Sequence, residues 1–234
     1  MDEVVEMKKW ILLYALTVAG VLLTAKLGSA GVTVMAENRP MERQHCVVID
    51  PGHGGVDGGA TSCTGNLESG FNLEISLRLN DLMNLLGYDT RMIRTSDISV
   101  YTEGKTIAQK KISDLRERVA MVEEQENPVL LSIHQNHFSD GRYAGPQVFY
   151  AEGSEALGES IQLALNTQLV PGNRRMAKKC RGVYLMEHIS CPGVLIECGF
   201  LSNVREEARL RDPEYQKKLC AVVAAAVDQY LSNT

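Results

Sequence analysis

Two histidines and one glutamate stand in or just after apolar runs of strand character, where they could support metal-assisted hydrolysis. His53 follows the run Cys46 to Ile49, His134 lies in "VLLSIHQN", and Glu197 lies in "GVLIECGF". A carboxylate inside an apolar strand is costly to bury unless a cation, a proton or a catalytic role compensates it. Two neutral imidazoles and one carboxylate are the usual protein ligands of a catalytic zinc ion, which keeps a further position for water. These residues alone leave open which carboxylate binds and which acts as a base.

The loop that carries His53 is rich in glycine but does not match a phosphate-binding loop. In "PGHGGVDGGA" neither G-x-G-x-x-G nor G-K-[ST] occurs, and no Lys follows the glycines. A phosphate-loop protein is therefore the least favoured function. Asp50 precedes the turn, and it either orients His53 through the ring N–H, as carboxylates beside metal ligands do, or caps the turn.

Strands and helices alternate along the part of the chain that must position these residues. Apolar runs with β-branched content predict strands at 46–49, 91–93, 129–133, 147–150, 182–186 and 194–198. The spacing of apolar residues predicts one helix that contains Ile75 to Leu86 and that Gly87 can end, and a second that contains Ile112 to Val122. Further helices are expected near 154–169 and 203–211, and from Pro213 through Leu231.

This alternation predicts an α/β fold. We expect a single domain with a mostly parallel sheet of about six strands and helices on both faces. Ligands of such sheets bind outside the carboxyl ends of the strands, which is where His53 and His134 are predicted to lie.

The first 36 residues differ from the rest of the chain. Lys8 and Lys9 precede Trp10 to Ala25, sixteen residues without a charge. This run is close to the core of a signal peptide and shorter than the roughly 20 residues that a membrane-spanning helix needs. We therefore expect residues 1–36 to be a signal peptide or an N-terminal membrane anchor, with anchoring through residues 10–25. Residues 37–234 would then be an exported catalytic domain outside the cytoplasmic membrane.

Composition narrows the partners and the redox chemistry. The chain has 24 basic and 29 acidic residues, without the basic excess that is typical of a nucleic-acid-binding protein. Nucleic acid is therefore not expected as a partner. The six cysteines form no C-x-x-C motif, and Cys46, Cys198 and Cys220 fall inside apolar runs. Buried free thiols are favoured on this ground, while a bridge between Cys180 and Cys191 stays open.

Four motifs follow one another with the order and spacing of a known family. They are "VVIDPGHGGVDGGA", Glu68 ahead of "NLEISLRL", "LLSIHQN" and "GVLIECGFLSN". From about residue 46 to the C-terminus the chain closely resembles the zinc-dependent N-acetylmuramoyl-L-alanine amidases of the amidase-3 type. The resemblance implies one zinc ion per chain, bound by His53, Glu68 and His134, with Glu197 as the catalytic carboxylate. It also implies hydrolysis of the amide bond between N-acetylmuramic acid and L-alanine in peptidoglycan.

Glu68 has a rival in Glu74. Glu68 is predicted to lie in the loop just before a helix, where the helix dipole favours a carboxylate and the side chain can turn toward the sheet edge. Glu74 falls within that helix beside the core residue Ile75, so it is more simply a solvated residue. Position and the family pattern both favour Glu68, although the family's Glu-Lys-Asp is Glu68-Ser69-Gly70 here.

Further likenesses indicate a subgroup. "KKISDLRERV", "GVYLMEH" and "DPEYQKK" are similar to the germination-specific amidases of spore-forming bacteria. That similarity implies removal of peptide stems from spore cortex ahead of muramic-δ-lactam formation. The residues do not tell whether a protein partner activates the enzyme.

Several polar residues near the motifs have two interpretations. Asn136 either binds substrate or steadies the loop after His134. Arg94 and Arg116 match positions of the family, and Arg94 is a candidate to contact substrate or to support a metal ligand, but ordinary ion pairs explain both arginines as well. The basic stretch 174–181 is either a solvated turn or a rim that attracts the carboxylates of a peptide stem. His137 is expected to be a rim histidine.

Two other classes of function stay open at this point. A zinc exopeptidase or carboxypeptidase would use similar ligands, and it would release a terminal D-alanine rather than expose new L-alanine amino termini. A non-catalytic wall-binding module would lack one of the ligands or the catalytic glutamate, and the sequence contains all four residues.

Overall fold

A computed structural model describes residues 45–233, which contain one six-stranded sheet. Its strands are β1 (Cys46–Pro51), β2 (Asp89–Met92), β3 (Pro128–Asn136), β4 (Gln147–Tyr150), β5 (Lys178–Lys179) and β6 (Gly193–Phe200). The spatial order is β2-β1-β3-β6-β4-β5. Strands β2, β1, β3 and β6 run parallel, whereas β4 is antiparallel to β6 and β5 follows the direction of β4. The predicted α/β fold with a mostly parallel sheet is confirmed.

Helices connect the strands as predicted. They are α1 (Glu68–Leu85), α2 (Ile107–Glu123), α3 (Glu155–Ala164, extended by a π-helical turn over Leu165–Leu169), α4 (Tyr184–His188), α5 (Val204–Leu210) and α6 (Pro213–Leu231). Local chemistry fixes their ends. Thr106 and Gln109 form a capping box at the start of α2, and the Asp212 side chain accepts the amide hydrogen of Glu214 at the start of α6. Gly87, at φ 87°, follows the last turn of α1.

The sheet buries an apolar layer on each face. Alternate residues of β1 point to opposite sides, so that Val47 and Ile49 join the core formed with α1, α3 and α6, while Cys46 and Val48 join the smaller core beneath α2 and α4. β3 and β6 alternate in the same way. The predicted helices on both faces are therefore present.

The strand predicted at 182–186 is wrong, because this segment forms the turn into α4. Gly182 takes φ 73°, and the adjacent residues Leu185 and Met186 are both buried. Adjacent residues of a strand point to opposite faces, whereas this segment buries both side chains in the same core, as a helical turn can. The sixth strand is instead the two-residue β5.

The remaining expectations concern the N-terminal segment and the cysteines. Residues 1–36, including the run 10–25, lie outside the described residues, so the signal peptide or anchor stays a prediction. Within residues 45–233, no helix is long and apolar enough to cross a membrane. All six cysteines are free thiols, with Cys46, Cys198 and Cys220 buried as predicted, and Cys180 and Cys191 are not joined.

The α1 helix offers a matched test of the larger core. Leu79 is 1% exposed and Leu85 is 71% exposed on the same helix. We expect Leu79→Ala to lower the free energy of unfolding by about 2–5 kcal/mol, because it removes buried methyl groups and leaves a cavity. Leu85→Ala should change it by less than about 0.5 kcal/mol. Urea unfolding monitored by circular dichroism measures both, and equal effects of the two substitutions would contradict this core assignment.

Candidate metal centre and active site

The carboxyl ends of β3 and β6 bring His134 and Glu197 side by side. The two residues are register partners in the parallel ladder, and alternation along each strand turns both side chains toward the α2 and α4 face. The β3–β6 register then shifts between His134 and Asn136. The sheet therefore presents an imidazole and a carboxylate as neighbours at its ligand-binding edge.

His53 reaches the same edge from the glycine loop after β1. It adopts φ 59°, a left-handed conformation that is uncommon for a residue other than glycine. Two buried arginines hold the loop in this shape. Arg118 donates to the His53 carbonyl at 2.7 Å, and Arg94 donates to the carbonyls of Pro51 and Gly52 at 2.9 Å each. Strain concentrated at one histidine and maintained by its surroundings is typical of a functional site.

Glu68 joins the two histidines. Its Oε2 lies 3.3 Å from His53 Nε2, and its Oε1 lies 3.1 Å from His134 Nδ1. The His53 and His134 rings stand edge to face, with their centroids 4.9 Å apart. One nitrogen or oxygen of each residue can be chosen so that all three atoms lie within 4.8 Å of one another. Residues from the β1 loop, α1 and β3 thus converge on one point.

The Glu68 carboxylate is held by donors that the sequence analysis did not identify. The backbone amides of Ala60 and Gln135 donate to it at 2.9 and 3.1 Å, and Asn72 Nδ2 donates at 3.2 Å. Glu68 is the first residue of α1 rather than a loop residue, and it is 4% exposed. The spacing Glu68 to Asn72, one helical turn, was the available signal for this contact.

Glycines leave the space that the site needs. A Cβ on Gly52 would lie 2.2 Å from His134 Nε2, and one on Gly59 would lie 2.6 Å from Glu68 Oε2. Any larger residue at Gly52 would therefore displace the His134 ring. The glycines of "PGHGGVDGGA" provide clearance for a cluster of side chains rather than a cradle for phosphate.

The electrostatics of the cluster favour bound positive charge. Burial lowers the pKa of His53, but hydrogen bonds and charge from Glu68 and Asp57 outweigh burial and raise that pKa to about 9. Burial likewise opposes ionisation of Glu68, yet hydrogen bonds from His134 and His53 hold its pKa far below the ordinary range. An ionised carboxylate between two imidazoles is an environment in which a divalent cation can replace protons.

Glu197 has the opposite environment. Burial is the main cause that raises its pKa from 4.5 to about 7, the negative charge of Glu68 adds to this, and the two histidines oppose it. Its Oε2 is buried and has no hydrogen-bond partner among the described residues. An unpaired buried carboxylate oxygen at a strand end is typical of a group that exchanges protons.

The structure corrects the prediction for Asp50, which neither orients His53 nor accepts a hydrogen bond from a backbone amide of the turn among the described residues. Asp50 does not orient His53, because its carboxylate is engaged by Arg118 and by Ser132 Oγ at 2.6 Å. The carboxylate on the ring of His53 is that of Asp57, at 3.0 Å from Nδ1. Asp50 lies in the strand and its side chain is fully buried, so it supports the sheet end from beneath the loop.

Arginines are also assigned differently by the structure. Arg94 is 2% exposed and donates only to backbone carbonyls in the described residues, so it holds the loop that carries His53 rather than forming an ordinary ion pair. Arg116, which the family pattern singled out, is exposed beside Glu103. The buried arginine of that helix is Arg118, two residues later, which pairs with Asp114 at 2.7 Å as well as with Asp50.

The structure also locates the other candidate residues, Glu74, His137 and Asn136. Glu74 is exposed and accepts a hydrogen bond from Gln216 at 3.1 Å, away from the histidines, which agrees with the preference for Glu68. His137 is exposed, as expected for a rim residue. The backbone carbonyl of Asn136 accepts the amide hydrogen of Leu201 at 2.8 Å, and a role of its side chain in substrate binding stays a prediction.

The donor set fits a zinc ion. Two imidazole nitrogens and one carboxylate oxygen, brought together by three different segments, match a catalytic site that keeps a position for water. Asp57 and the donors around Glu68 supply the outer hydrogen bonds that orient such ligands. The uncompensated oxygen of Glu197 faces the same sheet end.

Comparison with known proteins defines the class. The N-acetylmuramoyl-L-alanine amidase family, Amidase_3, matches residues 47–229 of the chain. The chain therefore belongs to this family and is an N-acetylmuramoyl-L-alanine amidase. Membership sets aside the exopeptidase and wall-binding alternatives.

Individual relatives agree with this class. The germination-specific N-acetylmuramoyl-L-alanine amidase of Bacillus subtilis (strain 168) is 36% identical over 191 residues, which are 80% of each chain. The CwlD amidase from Clostridioides difficile, solved in complex with the GerS lipoprotein, is 35% identical with a TM-score of 0.77, over 81% of this chain and 99% of that one. An N-acetylmuramoyl-L-alanine amidase from Clostridium difficile 630 is 26% identical with a TM-score of 0.72, over 82% and 100%.

Burial of Glu197 predicts a pH-dependent stability. Because the pKa of Glu197 rises on folding, the folded metal-free protein binds this proton more tightly than the unfolded chain, and it loses stability as the pH rises from about 4.5 through 7. Glu197→Gln removes that loss. We expect the stability of the metal-free variant relative to wild type to increase between pH 5 and pH 8 by on the order of 2 kcal/mol.

Urea unfolding of the chelator-treated proteins at the two pH values measures this difference. Glu126→Gln, at an exposed position, is the control and should show no such change. A stability difference for Glu197→Gln that is the same at both pH values would contradict the assigned environment.

Proposed function

We propose that the chain is a zinc-dependent amidase that hydrolyses the bond between N-acetylmuramic acid and L-alanine in peptidoglycan. The observation that carries this proposal is the position of Glu68, whose two oxygens lie within 3.3 Å of His53 Nε2 and His134 Nδ1. The neighbouring carboxylate of Glu197, half-buried and unpaired at one oxygen, supplies the group that must handle protons.

His53, Glu68 and His134 would hold the metal ion. A zinc ion bound there supplies Lewis acidity toward the amide carbonyl and lowers the pKa of the attacking water toward 7. The residues of this chain contribute the rest: Asp57 orients His53, and the donors around Glu68 fix its carboxylate.

Glu197 would move the proton that the reaction requires. The C–O bond forms when water attacks the amide carbonyl, and Glu197 accepts the water's proton. The C–N bond then breaks, and Glu197 returns the proton to the nitrogen of alanine, so that a neutral amine leaves. In the metal-free protein burial raises the pKa of this carboxyl toward neutrality, and a group that ionises close to the working pH suits both halves of this step.

The proposed setting is the spore cortex. The germination-specific amidase of Bacillus subtilis and the CwlD amidase of Clostridioides difficile are among the most similar proteins, at 36% and 35% identity over about four fifths of the chain. We infer that this chain removes peptide stems from cortex peptidoglycan and that residues 1–36 export it or anchor it. The GerS lipoprotein bound to the CwlD amidase supports a protein partner for this chain.

Glu197→Gln tests the proton transfer. The amide keeps the shape of the side chain but cannot accept a proton from water, so we expect the release of stems to fall by at least about 100-fold while zinc content is unchanged. Mass spectrometry of digested cortex, which scores new L-alanine amino termini on intact glycan, and metal analysis measure the two quantities.

Zinc removal is the companion experiment for wild type. Chelation should abolish stem release, and added zinc should restore it. Full activity of Glu197→Gln would remove the proposed base, and full activity of the chelated enzyme would remove the proposed metal.

Gly52→Ala tests the clearance around His134. The added Cβ would overlap the imidazole, so we expect a loss of zinc affinity of at least about tenfold, because the ring must turn away or the loop must shift. Competition with a chromogenic chelator measures the affinity directly, without reference to activity.

Gly70→Ala is the matched control. Nothing lies within 4 Å of a Cβ at Gly70, and Ala is the better helix former there. This variant should bind zinc as wild type does and unfold at a slightly higher temperature. Wild-type zinc affinity in Gly52→Ala would show that His134 is not a ligand in the position described.

A further inference from the structure

A cavity adjoins the two histidines on the α2 and α4 face of the sheet. It has a volume of about 280 Å³, and His53 and His134 form part of its wall. Its other walls are helix α2 and the segment 182–185 that leads into α4. A group of a substrate held at the histidines can therefore enter the protein through this cavity.

Buried side chains close the inner end of the cavity. Asp50, Ser132 and Arg118 line it, and each is at most 3% exposed. Val56, Leu115, Val183 and Leu185 give the sides an apolar character. A glycan strand must continue past the site in both directions, so it cannot end in such a cavity. A peptide branch leaves the glycan on one side only, and its short alanine side chain suits apolar walls.

Charges around the cavity are paired with one exception. Arg118 binds both Asp50 and Asp114, and Asp57 contacts Lys111 at 2.8 Å as well as His53. Lys110 has no carboxylate partner among the described residues, and its ammonium lies 4.9 Å from the centre of the Tyr101 ring. Lys110 is thus a half-buried cation with capacity for an anion.

Helix geometry places Lys110 at the outer end of the same wall. Lys110, Asp114 and Arg118 follow at intervals of four residues and all line the cavity. Eight residues of helix span about 12 Å, from the contact of Arg118 with the His53 carbonyl to Lys110. Two extended peptide residues span about 7 Å, and a lysine side chain covers much of the remaining distance.

We propose that the cavity binds the peptide side of the scissile amide and that Lys110 recognises the free carboxylate of the second stem residue. This inference rests on the proposed amidase function and adds the direction in which the substrate lies. The first stem residue, alanine, would occupy the apolar part near the histidines, and the acidic residue after it would reach Lys110. The glycan would cross the open side of the metal centre.

Two soluble substrates test the proposal. Both carry N-acetylmuramoyl-L-alanyl-D-glutamate on a short glycan with the γ-carboxylate blocked as a methylamide, and they differ only in the α-carboxylate of the second residue, which is either free or converted to a carboxamide. Wild type should prefer the free carboxylate by about threefold to tenfold in kcat/KM, because only that group pairs with Lys110. Lys110→Met keeps the length of the side chain and removes the charge. It should abolish the preference through a higher KM for the acidic substrate, with the amidated substrate unaffected.

Arg116→Ala is the control for loss of a positive charge. It lies on the same helix, exposed and outside the cavity, so the preference for the acidic substrate should persist. The inference would be overturned if Lys110→Met kept the preference, or if wild type cleaved both substrates without a preference. Either result would leave the amidase function intact. Failure of zinc-loaded wild type to cleave either substrate would instead contradict the proposed function.

Discussion

The contact of one carboxylate with two imidazoles is the interaction on which the site depends. Glu68 lies between His53 and His134, and each of its oxygens is fixed by backbone or amide donors as well. A buried carboxylate is stable only when such partners surround it. The metal-free protein therefore already holds a negatively charged carboxylate between two imidazole rings whose nitrogens can bind a metal ion.

A parallel sheet brings these residues together, because the carboxyl ends of its strands lie at the same edge. The carboxyl ends of β1 and β3 meet at one edge, β6 adds Glu197 beside His134, and α1 begins where its first residue can reach over that edge. The pair of buried arginines then stabilises the loop shape that His53 needs. Because Arg118 also lines the cavity, the same side chain links the position of a proposed zinc ligand to the shape of the space beside it.

The regular strands and helices could be predicted from the sequence, whereas the conformations of turns and loops could not. Apolar periodicity predicted the sheet and the long helices, because burial enforces period 2 or 3.6, and it placed His53, His134 and Glu197 at strand ends. Glu68 was preferred to Glu74 on its position before a helix and on the family pattern. Apolar periodicity failed at 182–186, where a short apolar run fits a strand or a helical turn equally well. Asp50 was predicted either to orient His53 or to cap the turn, whereas the residue on the His53 ring is Asp57, because the left-handed conformation of His53 cannot be read from residue types. Arg118 could not be told from Arg116 until the helix face was known.

We propose that His53, Glu68 and His134 together bind one divalent ion with Glu197 beside it. A crystal structure of the zinc-loaded protein, with anomalous diffraction recorded on both sides of the zinc absorption edge, tests this directly. We expect one anomalous peak within about 2.3 Å of a nitrogen of each histidine and an oxygen of Glu68. A peak coordinated by other residues, or no peak at these three in protein that contains zinc, would contradict it.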